Sequence, residues 1–549
     1  MYKLTTFIWN NEKPDFNILK LLAGIIFLII CGLKLTYNFN HQVDISFDDE
    51  VKYMRYGLDL FTHIRNDWGP TYNLWYKFLS VFEKQPIELY LLNYKVVIIL
   101  LPVCLFVFLY VYGISLFSSL WMSFCLLISN TNINTYPRIS HVVVSSFLMV
   151  LIFNKFFNIS KVKQYILLCF VCFLGAYARP ELFLSFIIFL SFTVYYIIKK
   201  SKIKEWLVFS IPFVAVMFLL YWVFQFPANS YLGKERLYGV FCQHYTVKYI
   251  YNHKDDYAIF INWMDFCKKE FAGCNTFVDI VLRYPMVVLL GTLENMKISF
   301  LMFFISASDV LYPKYLYYKK TLELLSLLLV FILMGYSLIP KQRRILVRRK
   351  LAEHYEVLII LAVFALPGFI SAMVFFPRPH YVLFLLIPII LHLAILIDVS
   401  LKGLQIKTSI ILLVAIVFLI FTPNIKQFST PHIISGTCPN QHYQSFIRLL
   451  NNATNKPHVI FSNILNLSMM TNKNFIDFSA EEHYNNEQTF IAQLNDNHID
   501  YILVTDFLLQ DLRLKKDNTW LNFIRHPEKL GFKKIFPFKG CPTYLLYKD

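Results

Sequence analysis

The chain has 549 residues, of which 57% are hydrophobic and 16% charged, with a mean hydropathy of +0.51. A soluble domain is about 25% charged, and the apolar surplus here comes in blocks of membrane-spanning length, which excludes a soluble enzyme or binding module. The formal net charge of +17 calls for no nucleic-acid partner. Much of it sits in short segments between apolar blocks: Lys155, Lys161 and Lys163; Lys199, Lys200, Lys202 and Lys204; Lys341, Arg343, Arg344, Arg348, Arg349 and Lys350; Lys402 and Lys407. That is the pattern the positive-inside rule gives to cytoplasmic loops.

In chain order, spanning helices are predicted at 17–36, 94–113, 115–131, 141–154, 164–178, 181–198, 205–225, 320–339, 355–375, 380–397 and 408–424. The first block follows a polar start and lacks a small-residue cleavage site, so it is expected to remain as a signal anchor. A cytoplasmic N-terminus then puts every Lys/Arg-rich short loop inside, and puts loops 37–93 and 226–319 and the tail 425–549 outside. Segment 285–306 is apolar, but Glu294, Asn295 and Lys297 fall in its middle. Each charge at mid-bilayer costs about 2.5–3.5 kcal/mol, so an interfacial or re-entrant segment is expected there.

After Phe421 the composition turns polar. "HVIFSN" and "DYILVTD" read as short buried strands, "NEQTFIAQLNDN" has helical spacing, and "KKIFPF" and "TYLLYKD" read as closing strands. The expected fold is a polytopic α-helical membrane protein with about 11 transmembrane helices over residues 1–424 and a soluble α/β domain over 425–549. The ten cysteines show no metal-type spacing. Cys31, Cys104, Cys125, Cys169 and Cys172 lie in apolar blocks as small hydrophobes, whereas Cys438 and Cys541 bracket the C-terminal domain and are able to pair in an oxidising compartment.

The first outer loop carries "DISFDDEVKYMRYGLDLF". Val51, Met54, Leu58 and Phe61 form a helical stripe suited to a membrane surface. Asp48, Asp49 and Glu50 therefore mark a helix N-terminus, where acidic groups cap free N–H groups; a carboxylate at the membrane rim is also well placed to act as a general base. On the same side fall "YPRIS" with Arg138, "YARPEL" with Arg179 and Glu181, and "FPRPHY" with Arg378, His380 and Tyr381. Three arginines at separate helix ends, on the side usually poor in basic residues, point to an anion site, because guanidinium donates paired hydrogen bonds to phosphate. Anchoring to lipid headgroups, or pairing of Arg179 with Glu181, is the competing structural account. The second outer loop adds Lys234, Arg236, Gln243 and His244 as candidate phosphate or sugar contacts. Neither His244 nor Asp255 and Asp256 has metal-ligand spacing.

With these segments in view, the chain resembles the GT-C superfamily of polyprenyl-phosphate-dependent glycosyltransferases, which includes the aminoarabinose transferases of lipid A and the protein O-mannosyltransferases. The resemblance lies in Asp49-Glu50-x-x-Tyr53 after the first spanning helix, in "WGPTYNLWYKFLSVF", in Arg179-Pro180-Glu181 and in "RPHYVLFLLIP", followed by an outer soluble tail. It implies that Asp49, or its neighbour Asp48, is the base acting on the acceptor. Together with the outer-face residues above, the expected donor and phosphate contacts are Glu50, Tyr53, Arg138, Arg179, Glu181, Arg236, His244, Arg378, His380 and Tyr381. Here Pro379 and His380 separate Arg378 from Tyr381, a departure from the family's late Arg-Tyr segment. Some members bind a divalent cation, Mg or Mn, near the acidic motif, but nothing in this sequence requires one. The expected partners are a polyprenyl-phosphate sugar, a cell-envelope acceptor (glycolipid, polysaccharide or protein) and membrane lipids, at a bacterial inner membrane with the tail in the periplasm. The alternatives are an O-antigen ligase or polymerase, which does not fit an acidic motif directly after the first helix, and a flippase or transporter, for which internal repeats and mid-membrane charges are expected.

Overall fold

The computed structural model of the protein describes residues 17–41, 43–45, 49–61, 69–200, 203–227, 234–253, 263–311, 335, 341–401, 408–425, 442–452, 456–464, 466–471, 474–480, 483–484, 487–537 and 541–548. Among these, nine helices are long and apolar enough to cross a membrane: Ile18–Leu35, Pro86–Val111, Ile139–Phe156, Lys161–Ala178, Pro180–Lys199, Trp206–Phe224, Pro285–Leu311, Tyr355–Val374 and Pro379–Leu401. Two shorter apolar helices, Leu116–Leu127 and Ile411–Ile420, pair through the stacked rings of Phe124 and Phe418 at 4.2 Å. The protein is thus a mostly helical, membrane-embedded chain with a small C-terminal sheet. The expected span 320–339 lies almost wholly outside the described residues.

Of the two alternatives expected for 285–306, the re-entrant one is set aside. Residues 285–311 form a single unbroken helix, not a re-entrant turn, and it packs beside Tyr355–Val374 and Pro379–Leu401. The Asn295 amide donates to the carbonyls of Met373 and Phe375, both at 3.0 Å, and Lys248 pairs with Glu294 at 3.3 Å. Glu294 and Asn295 therefore lie level with the end of the neighbouring helix Tyr355–Val374. The more apolar stretch beyond Lys297 runs on into the bundle, where the Asp309 carboxylate accepts from the backbone N–H of Thr131 at 2.7 Å.

The helix ends sort into two faces. At one, Lys350 pairs with Asp398, Lys161 with Glu356, and the Arg343 guanidinium donates to the carbonyls of Val399 and Ser400. The basic runs of the sequence gather there. At the other, the ammonium of Lys34 donates to the carbonyls of Leu419 and Ile420, and the chain enters the C-terminal region beside Leu35.

The C-terminal domain is a five-stranded sheet in the order β2-β1-β3-β5-β4, with β1 His458–Ser462, β2 Phe475–Ser479, β3 Ile499–Val504, β4 Phe532–Ile535 and β5 Tyr544–Lys548. β1, β2 and β3 run parallel, and β5 is antiparallel to both neighbours. Phe461, Phe490, Ile502, Trp520 and Leu546 fill the core on one face. Asp517 holds two helices at once, accepting from the N–H groups of Phe490 and Thr519.

Docking of this domain rests on Asp44. Its carboxylate accepts from the backbone N–H groups of Tyr443 at 3.0 Å and Gln444 at 3.1 Å, capping the helix His442–Asn451. The Gln444 amide in turn donates to the carbonyl of Val43. Tyr443, Phe446, Ile447 and Leu450 then bury against the same apolar cluster as the spanning helices.

Candidate functional site

The helix Asp49–Leu58 begins on two acidic residues, as the acidic triplet leads one to expect. Its apolar face does not lie on a membrane surface: Val51, Tyr53, Met54 and Gly57 are buried against protein, and only Phe61, beyond the helix, is strongly exposed. The helix Pro70–Leu79 packs across it at Gly57. A Cβ there would stand 2.6 Å from Tyr76 Cβ and 2.7 Å from the Asn73 carbonyl, so any larger residue would force the two helices apart. Gly69, with φ +51°, turns the chain into that second helix beneath the Tyr53 ring.

The two carboxylates have opposite surroundings. Glu50 is 1% exposed. Its Oε1 accepts from the hydroxyls of Tyr72 and Tyr76, each at 2.5 Å, and from the Asn93 amide at 2.9 Å, while its Oε2 accepts the backbone N–H of Arg138 at 2.8 Å. Tyr72 and Tyr76 reach one point because they are one helical turn apart. Burial pushes the Glu50 carboxyl upward from its ordinary value, against the two tyrosine hydroxyls and Arg138. Its oxygens are taken by protein groups, so Glu50 braces the site. Asp49 is half-buried, and no hydrogen bond or ion pair from the described residues reaches its carboxylate.

Arg138 is 1% exposed. Its guanidinium lies over the ring of Tyr94 at 3.1 Å and near that of Tyr136 at 4.3 Å, and it donates to the Ile133 carbonyl at 3.0 Å. Nε and Nη1 donate no hydrogen bond to the described residues. Tyr136 links this group to the next: its carbonyl lies 2.9 Å from Nδ1 of the buried His380, whose Nε2 is likewise without a partner among the described residues.

Beside His380, Tyr381 carries the Arg179 guanidinium over its ring at 4.7 Å, and Arg179 pairs with Glu181 at 2.6 Å. Arg378 is half-buried and stands 3.0 Å from Nε2 of His244, whose ring stacks on Phe376 at 4.4 Å. Burial, then the charges of Arg378 and Lys248, push the His244 imidazole down to about 3, so it stays neutral and accepts from the guanidinium.

Glu50, Arg138, His380, Tyr381, Arg179 and Glu181 are thus joined in one chain of contacts, with the Tyr53 ring edge-on to that of Tyr72 at its near end and the His244–Arg378 pair at its far end. Pairing of Arg179 with Glu181 follows the structural account of that arginine. Asp48, Asp255 and Asp256 lie outside the described residues, as do the side chains of Lys234 and Arg236. Sequence reasoning missed Tyr72, Tyr76, Asn93, Tyr94 and Tyr136. The one-turn spacing of the first two was the only signal; Asn93 sits unmarked within an apolar block. Among the described residues no group of three His, Cys, Asp or Glu side chains converges as metal ligands do. No protein-family model matches the chain, and no curated protein matches it either.

Proposed function

We propose that the chain is an integral-membrane glycosyltransferase of the GT-C type, moving a sugar from a polyprenyl-phosphate donor to a cell-envelope acceptor at the outer face. The observation that carries this reading is the contrast between adjacent carboxylates. Glu50 is saturated by protein donors, while Asp49, fixed beside it on a rigid helix start, keeps its oxygens free of described partners. A carboxylate held at a rim by a buried neighbour is the arrangement a general base needs.

In this reading Asp49 takes the proton of an acceptor hydroxyl, whose oxygen attacks the anomeric carbon. The bond from that carbon to the phosphate oxygen breaks, and the lipid phosphate leaves with its electron pair. Arg378, half-exposed and oriented by neutral His244, meets the phosphate charge, and the unused N–H groups of Arg138 add positive potential from below. Arg179 is held by Glu181 and shapes the site through Tyr381. The sidedness is supported by Cys541, which is disulfide-bonded; Cys438, its expected partner, lies outside the described residues.

The test is incubation of purified protein with a radiolabelled polyprenyl-phosphate sugar and an acceptor glycan fraction. Release of lipid phosphate with label on the acceptor is the expected result. Movement of the intact lipid-linked sugar across a bilayer without cleavage would make the protein a transporter.

A further inference from the structure

Three thiols share one small apolar core on the site face. Cys242 on the helix Lys234–His253, Cys267 on the helix Trp263–Glu270 and Cys274 just beyond it are 0%, 0% and 4% exposed, packed with Tyr238, Phe241, Phe271 and Ile280. All three are free thiols, and the helix carrying Cys242 packs directly against the helix carrying Cys267. The core lies at the same end of the molecule as Arg378 and the C-terminal domain: His244, two residues after Cys242, meets Arg378 at 3.0 Å, and Phe277 packs on Phe375 at 5.4 Å.

We infer that Cys242 and Cys267 are a disulfide site of the mature protein. The inference rests on the outer-face reading above, since it needs the compartment that oxidises Cys541. The two thiols give up two protons and two electrons to a disulfide of a protein or small-molecule oxidant; one S–S bond forms in the chain, and the oxidant leaves as two thiols. Formation precedes closure of the core, because both sulfurs are shielded once it is packed. The bond ties the helix carrying His244 to its neighbour, and so holds the His244–Arg378 pair against the bundle. Cys274 remains a buried thiol.

Protein from membranes treated with N-ethylmaleimide before lysis, then denatured in the same reagent, is digested and analysed by mass spectrometry without reductant. The expected result is a Cys242–Cys267 crosslinked peptide that vanishes on reduction, with Cys274 alkylated; in Cys274→Ser the crosslink persists. Alkylated Cys242 and Cys267 alongside a bonded Cys541 would overturn the inference while leaving the sidedness intact. A crosslink to Cys274 would overturn the pairing. Full alkylation of Cys541 as well would sink the sidedness and the inference together.

Discussion

The backbone N–H of Arg138 donates to Oε2 of Glu50 at 2.8 Å, joining the start of the first-loop helix to the turn before the spanning helix Ile139–Phe156. The same carboxylate gathers Tyr72, Tyr76 and Asn93, so one buried anion ties four chain segments. Glu50→Ala would leave the hydroxyls of Tyr72 and Tyr76 and the backbone N–H of Arg138 without an acceptor, while the Asn93 amide still donates to both tyrosines. Each buried donor left without an acceptor costs about 1–3 kcal/mol, so the variant should unfold well below the wild type in thermal scans in detergent. Glu50→Gln keeps the shape and one acceptor oxygen and should fall between the two. A Glu50→Ala protein with wild-type melting would show that the network does not hold the site.

Asp49 carries the opposite expectation. Having no described partner, it contributes little to stability, and Asp49→Asn should melt like the wild type. A positioned general base is worth roughly 10²–10⁴-fold in rate, and loss of that order in single-turnover transfer is expected. Turnover near normal in Asp49→Asn would remove the base assignment, and with it the main support for the transferase reading.

How much of this was legible follows from what each residue's environment does to its signal. The spanning helices announce themselves by continuous apolar runs, and β1, β3 and β5 by short apolar stretches between turn residues. β2, Phe475–Ser479, has Asp477 at its centre, where it accepts from Ser468, and so gave no such run. The re-entrant alternative for 285–306 arose because the cost of Glu294 and Lys297 was assigned to mid-bilayer; contacts to Lys248 and to the end of the helix Tyr355–Val374 bring that stretch level with a helix end. The acidic pair and the arginines could be found as charges in unusual places. Which of them is free and which is spent on Tyr72, Tyr76 or Glu181 depends on tertiary neighbours that no local spacing encodes.

His244 gives a pH test. Its folded-state value, about 3, lies below the ordinary histidine value of 6.5, so the unfolded chain binds the extra proton first. Its contribution is present above pH 6.5 and is lost progressively as pH falls toward 3. Wild-type melting should therefore drop between pH 7 and pH 4.5, and His244→Gln, which still accepts from Arg378 but does not titrate, should show a shallower drop. Parallel slopes would mean that the imidazole is not held neutral by the guanidinium. Arg378→Ala should raise KM for the lipid donor more than it lowers thermal stability.

The Asp44 cap has the reverse sign. Burial pushes its carboxyl up to about 7, outweighing the N–H groups of Tyr443, Ile45 and Gln444 that pull it down. A carboxyl raised in the docked state stabilises docking below its ordinary value, and that contribution is lost as pH rises through about 7. Proteolytic release of the C-terminal domain should thus quicken between pH 5.5 and pH 8 in the wild type. Asp44→Asn has no proton to lose and should be released at a pH-independent rate, after correction for the protease's own profile. Asp44→Ala, which strips the acceptor from the start of the helix His442–Asn451, should be released fastest at every pH, because an absent cap costs about 1 kcal/mol even at exposed helix ends and more where the N–H groups are buried. If the tail of Asp44→Ala stays as protected as that of the wild type, the domain is held by its apolar face alone.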